Sequence, residues 1–326
     1  MAKLVFSIPD YYHFSYHNTF FLDLFAKRRD WFEDDVEIGS VYGSFPCIWN
    51  GGRYIEGDLT LVMMNEVFTA FANHNVEVRH SFTNLLIDKN ATTDTLGNAI
   101  LRISSQMPNL RVGAILASQS LQGMILKNYP NVQIIWSSAL QLEDAKKINK
   151  LSEQGKVILD LRQNRNMSLL NSLRNKDNIE LIVCASCDAN CRHFAKHMDR
   201  VSKLQMLISK EVFKCPYGKE AGSSSIQDIL AQPHVISPKE LREVYVPMGF
   251  THFIITGRTE SPQSLLLRYS LYLAKKANQK DFEDIFNQML TQLQTKSNLP
   301  QRDMYVPLMP HSINIDTNAL RNLRIA

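Results

Sequence analysis

The chain has 326 residues, of which 44% are hydrophobic and 21% charged, with a formal net charge of +4. That is ordinary globular composition, sufficient for one large α/β barrel or two ordinary domains, and a chain of this length buries a core without disulfide staples. So small a net charge singles out neither nucleic acid nor a membrane surface as a partner, and no apolar run approaches the roughly 18 residues of a membrane-spanning helix. The start, MAKLVFSIPDYYHF, has no apolar stretch of signal-peptide length. The expectation is a cytoplasmic protein whose cysteines stay reduced, where a tight cysteine group is more readily a metal site than a set of disulfides.

Short apolar, β-branched runs recur at 4–8, 36–42, 76–82, 111–116, 132–136, 157–161, 179–183 and 253–256. Most are apolar almost throughout, as strands buried on both faces are. Helical spacing fills the intervals at 59–73, 95–106, 120–129, 139–154 and 262–277. In 139–154 the stripe Leu140, Leu142, Ala145, Ile148 and Leu151 faces Lys and Glu, and Pro262 stands in the first turn of the last helix. Eight strands alternating with helices predict an α/β fold, a (β/α)₈ TIM-type barrel, with a doubly wound open sheet as the alternative. The expected organisation is one barrel domain over 1–299, a cysteine-rich insertion near 184–215, and an irregular tail over 300–326 packed on the surface. The stretch 222–225 (GSSS) is expected to be a short loop.

Three cysteines, Cys184, Cys187 and Cys191, follow the run 179–183 directly, with Cys-x₂-Cys-x₃-Cys spacing. Cys215 lies further on before a proline, and Cys47 follows the second strand. In a parallel barrel the C-terminal strand ends carry the active site, so these positions share one face. Closely spaced thiolates suit an iron–sulfur cluster or another soft metal. The favoured ligand set is Cys184, Cys187, Cys191 and Cys215, holding a [4Fe–4S] cluster, with Cys47 in reserve for Cys184 or Cys187. The radical-SAM order, Cys-x₃-Cys-x₂-Cys, is the reverse of this one. Zinc is the alternative metal, since His193 and His197 follow closely; their bland reading is as residues of the helix after the loop. Inert buried cysteines are the other bland reading.

Strand ends also offer Pro9, Asp10, Tyr11 and His13; Trp49, Asn50, Gly51, Gly52 and Arg53; Arg79, His80, Ser81, Thr83 and Asn84; Ser137 and Ser138; and Arg162, Gln163, Asn164 and Arg165. Gly51 and Gly52 would let backbone approach a ligand, and Arg53 could clamp a carboxylate or phosphate; a tight turn with a solvated arginine is the alternative. Arg79 and Ser81 share one strand parity and His80 has the other, so only one set points into the barrel. Arg53, Arg79 and Arg258 are the candidate catalytic residues, and several arginines together favour an anionic substrate.

The segment 237–274, SPKELREVYVPMGFTHFIITGRTESPQSLLLRYSLYLA, resembles the U32-type, collagenase-like peptidase family through Ser237, Pro238, Lys239, Leu241, Gly257, Arg258, Ser261 and Tyr272. The family's Lys-Ile-Glu-Gly-Arg stands here as Ile254-Ile255-Thr256-Gly257-Arg258, without the Lys and Glu. EIGSVYGSFPCIWNGGR, with Cys47, and the cysteine-rich turn are two further points of similarity. The resemblance implies a barrel with a cysteine-bound [4Fe–4S] cluster. It also implies oxygen-independent hydroxylation of a nucleic-acid base or small aromatic substrate, with prephenate as an anionic oxygen donor. No Gly-x-Ser-x-Gly elbow or His-Glu-x-x-His helix supports proteolysis. The readings from other classes are a non-catalytic partner protein with a structural or redox-sensing cluster, and a zinc-stabilised barrel that binds nucleic acid or peptide.

Overall fold

The apolar runs become eight strands: β1 (Leu4–Pro9), β2 (Val36–Gly43), β3 (Glu77–Phe82), β4 (Val112–Leu116), β5 (Gln133–Trp136), β6 (Lys156–Ile158), β7 (Ile179–Cys184) and β8 (His252–Ile255). The computed structural model describes residues 3–57, 59–185, 187–214, 226–257 and 261–297, with the backbone alone for 226 and 294–297. Each strand pairs in parallel with the next, and β8 returns to β1 with Val5 opposite His252 and Phe6 opposite Phe253. The sheet is therefore a closed parallel barrel, which leaves no strand edge exposed. The open-sheet alternative is excluded by the β1–β8 pairing.

Helices surround it: α1 (Ser15–Lys27), α2 (Leu61–Asn73), α3 (Thr95–Gln106), α4 (Gln119–Asn128), α5 (Ala145–Ser152), α6 (Met167–Ser172), α7 (Phe194–Gln205), α8 (Ile226–Leu230), α9 (Pro238–Glu240), α10 (Pro262–Leu273) and α11 (Gln279–Ser297). Side-chain oxygens of Thr60, Asp94, Ser118, Asp144, Asn166 and Ser261 accept the first free backbone N–H groups of six of them. The expected helix 139–154 is shorter. Gln141 adopts a left-handed conformation, φ 48°, and Asp144 restarts the chain as α5. The expected helix 262–277 ends at Leu273, and α11 follows after a brief 3₁₀ turn, where the sequence reading placed no helix. The tail 300–326 and the stretch 222–225 lie outside the described residues. Among the described residues no helix is long and apolar enough to cross a membrane.

Outward strand residues pack with the helices in one large core that contains Phe6, Val78, Leu181 and Phe253. Inward residues form two different layers. Toward the C-terminal ends, Tyr42, Ile115, Ile135, Ile158, Ile182 and Ile254 fill the barrel as an apolar plug. Toward the N-terminal ends the filling is ionic. Arg79 Nε donates to Glu77 at 2.6 Å, and Nη1 donates to both Glu180 oxygens at 2.7 and 2.8 Å and to Ser7 at 3.1 Å. Lys156 Nζ adds a second cation to Glu180 at 3.1 Å. Gly113 is required here, because a β-carbon would stand 2.9 Å from Glu77 Oε1 and 3.2 Å from Arg79 Cγ.

Burial works against ionised Glu180, yet Arg79 and Lys156 overcome it and hold the carboxyl at about 2. Removing one member of such a buried network strands the others, which costs about 3–5 kcal/mol. Glu180→Leu is therefore expected to lower unfolding stability by about that amount in denaturant titration. Ser40→Ala, which removes a neutral bond to Ser7, should cost only about 1 kcal/mol.

Candidate functional site at the C-terminal mouth

The chain leaves β1 through Pro9 and turns at Asp10, whose φ is +64°. A short polar residue tolerates that left-handed conformation. The turn is pinned from below: Asn18 Nδ2 donates to the carbonyls of Pro9 (2.8 Å) and Asp10 (3.3 Å), and Tyr269 of α10 donates to Asn18 Oδ1 at 2.7 Å. The buried Asp10 carboxylate accepts the His13 backbone N–H at 3.0 Å. It also faces His13 Nδ1 at 3.0 and 3.1 Å. Nδ1 therefore carries a proton, and in the neutral ring the lone pair sits on Nε2. The His13 side chain is 13% exposed, against 1% for Asp10.

Two further histidines stand nearby and are not of this kind. His80 points out of the barrel, where Tyr11 Oη meets Nδ1 at 2.7 Å and Ser104 Oγ meets Nε2 at 2.9 Å. Because Ser104 Oγ donates to the Ile100 carbonyl, His80 Nε2 is the donor to it and Nδ1 accepts from Tyr11. Burial pushes His80 down to about 3 and His17 to about 4. Both are core residues held neutral.

The opposite side of the mouth is built on the end of β6. Asp160 stops the strand by accepting the backbone N–H of Arg162 at 2.9 Å. It also takes Arg162 Nε at 3.0 Å and Nη2 at 3.1 Å, a two-pronged ion pair. This explains why β6 ends at Ile158 rather than continuing to 161. The neighbours expected to line the pocket do structural work. Asn164 donates to the carbonyls of Ile182 and His234, and Arg165 holds Pro233, Val235 and Glu240.

The loop after β2 supplies the third side. Gly51 lies directly on the backbone of Thr83, where no β-carbon fits, and Thr83 Oγ1 donates to its carbonyl at 2.9 Å. The glycine thus serves loop-to-strand packing and not approach to a ligand. Arg53 is half-buried, donates to the Gly52 carbonyl at 3.3 Å and stands near His197, whose pKa falls to about 4 through burial and this arginine's charge. Helix α7 lies over this loop: Gln205 exchanges two hydrogen bonds with the Ile55 backbone, and Asn84 Nδ2 donates to the Ser202 carbonyl.

Several sequence expectations change. Arg79 is not at this mouth but inside the lower barrel, bonded to Glu77 and Glu180; the third residue of a strand that begins at Glu77 is too deep to reach the C-terminal rim. Arg53 does reach the rim region, while Arg258 and Cys215 lie outside the described residues. The four described cysteines lie in different surroundings. Cys184 is fully buried in the core between strands and helices. Cys187 is exposed and Cys191 half-buried. Cys47 is buried with Sγ donating to Asn50 at 3.3 Å, and burial pushes its thiol well up. His197 stacks on Phe213 with ring centroids 4.7 Å apart. Among the described residues no three His, Cys, Asp or Glu side chains come together as metal ligands. Only part of the expected ligand set lies within the described residues: Cys184 is in the core, and Cys187 and Cys191 lie in the loop after β7.

No protein-family model and no curated protein matches the chain. Among solved structures it is similar to a U32 peptidase, Mk0906, at 12% identity and a TM-score of 0.47, over 78% of this chain and 92% of that one. The barrel assignment rests on the strand pairing described above.

Two measurements check this geometry. In metal-free protein, alkylation followed by peptide mass mapping should label Cys187 and Cys191 first, and Cys47 and Cys184 only in denaturant. His17 and His80 titrate lower in the folded chain than their ordinary 6.5. The unfolded chain then binds more protons between the two values, so stability is complete above pH 6.5 and falls as pH drops toward 3–4. Each histidine contributes up to about 1.4 kcal/mol per pH unit. Melts from pH 7 to 4 should show this loss, and His80→Phe should flatten it.

Proposed function

We propose that the chain is a barrel enzyme that acts on a small polar, anionic substrate at its C-terminal mouth. His13, oriented by Asp10, is the proton-transfer group, and Arg162 is the cation facing the substrate's negative charge. The Asp10–His13 pair is the observation that carries this reading. A buried carboxylate that fixes a histidine tautomer, with the ring partly open at the catalytic end of a barrel, is how a general base or acid is positioned. Arg162 keeps its orientation through Asp160 while a third of its side chain remains exposed.

The finer reading, iron–sulfur-dependent hydroxylation with prephenate as oxygen donor, draws its support from the family resemblance and from the accessibility of Cys187 and Cys191 in one loop. The dyad itself supports proton transfer and substrate orientation.

The test is a calorimetric screen of the full chain against small dicarboxylates, prephenate and phosphate monoesters, followed by turnover assays on the best ligand. Arg162→Met is expected to weaken binding at least tenfold. His13→Gln should retain binding within a few-fold while turnover falls by about 10²–10⁴. Asp10→Asn should fall comparably by turning the ring. Turnover indifferent to His13 sinks the proposal.

A further inference from the structure

We propose that the N-terminal mouth of the barrel is a second binding site, for a small monocarboxylate that carries a hydroxyl group. A cavity of about 480 Å³ opens there, within the usual range for small-molecule sites. Its walls are the first residues of the strands and their approaches, including Glu77, Arg79, Arg111, Gln133, Lys156 and His252. The isoleucine plug lies above it, and its lining residues stand at the N-terminal ends of the strands.

The chemistry of the walls selects the ligand. Arg79, Arg111 and Lys156 face Glu77 in the cavity and Glu180 just behind it, leaving one positive charge in excess. One unit of negative charge on a ligand neutralises it. Donors remain for that anion. Arg79 is only 3% exposed, and its Nη2 makes no hydrogen bond among the described residues, since Nε and Nη1 take all its partners. Lys156 uses one contact, to Glu180, and has further N–H groups to give.

Acceptors remain as well. Glu77 binds Arg79 through Oε2, leaving Oε1 without a hydrogen bond among the described residues. Thr251 Oγ1 donates to Asp177 at 3.2 Å and so accepts from His252 Nδ1 at 3.0 Å, which makes Nε2 of the neutral ring an acceptor. A carboxylate meets the cations, and a hydroxyl hydrogen meets Glu77 Oε1 or His252 Nε2. A buried ion network gains little stability over apolar packing of the same volume. A ligand that uses its spare donors and acceptors gives it a role that isoleucine could not fill.

Calorimetry on the full chain tests this with lactate, glycerate and gluconate as probes. Propionate lacks the hydroxyl, alanine replaces it with an ammonium group, and sulfate supplies charge without a hydroxyl. At least one hydroxy acid should bind one-to-one, with the three controls at least tenfold weaker, as loss of one charge-assisted hydrogen bond implies. Gln133→Trp fills the mouth from an exposed position without touching the ion network, and it should abolish binding. Lys156→Gln should weaken it tenfold or more, while His13→Gln at the other mouth should leave it unchanged. The proposal is overturned if no hydroxy acid binds, if any control binds as tightly, or if the tryptophan variant binds like the parent.

Discussion

The contact of Arg79 Nη1 with both oxygens of Glu180 is buried just inside the N-terminal mouth, and the interior of the barrel is organised around it. A guanidinium so placed demands carboxylates, and the barrel answers with one from β3 and one from β7, on opposite sides of its wall. Two strands, β3 and β7, are thereby tied across the lumen by charge as well as around it by hydrogen bonds. Lys156 and Ser7 complete the network and Gly113 makes room for it.

The apolar plug above this network divides the lumen in two. Ile115, Ile135, Ile158, Ile182 and Ile254 occupy the same inward parity as the charges below them and lie between the two mouths. The C-terminal mouth owes its chemistry to loops: a strained Asp10 that orients His13, and an Asp160 that both ends β6 and aims Arg162. The N-terminal mouth owes its chemistry to strand residues themselves. One end is thus built from residues that loop conformation brings together, the other from residues held by sheet register.

Much of the architecture was legible in the chain. All eight strands were visible as apolar runs because strands covered on both faces need little polar alternation. α3 was recovered without shift, since its apolar face repeats cleanly between Asp94 and Met107. The site was harder. Asp10 and His13 were recognisable as strand-end residues, but their pairing depends on a positive φ that no spacing announces. The charges of Glu77, Lys156, Glu180 and His252, set in otherwise apolar strands, were a signal of the lower network that went unused. Arg79 was assigned by its neighbours in sequence to the wrong end of the barrel, because depth along a strand depends on where pairing begins.

The sequence by itself determined the alternation of strands and helices and the inward or outward parity along each strand, since both are local periodicities set by backbone geometry. Which thiols, carboxylates and cations meet was decided only by the tertiary structure. Closure and register place residues far apart in the chain within bonding distance, as with Arg79 and Glu180, and keep residues as near as Cys184 and Cys187 in different environments, one in the core and one in solvent.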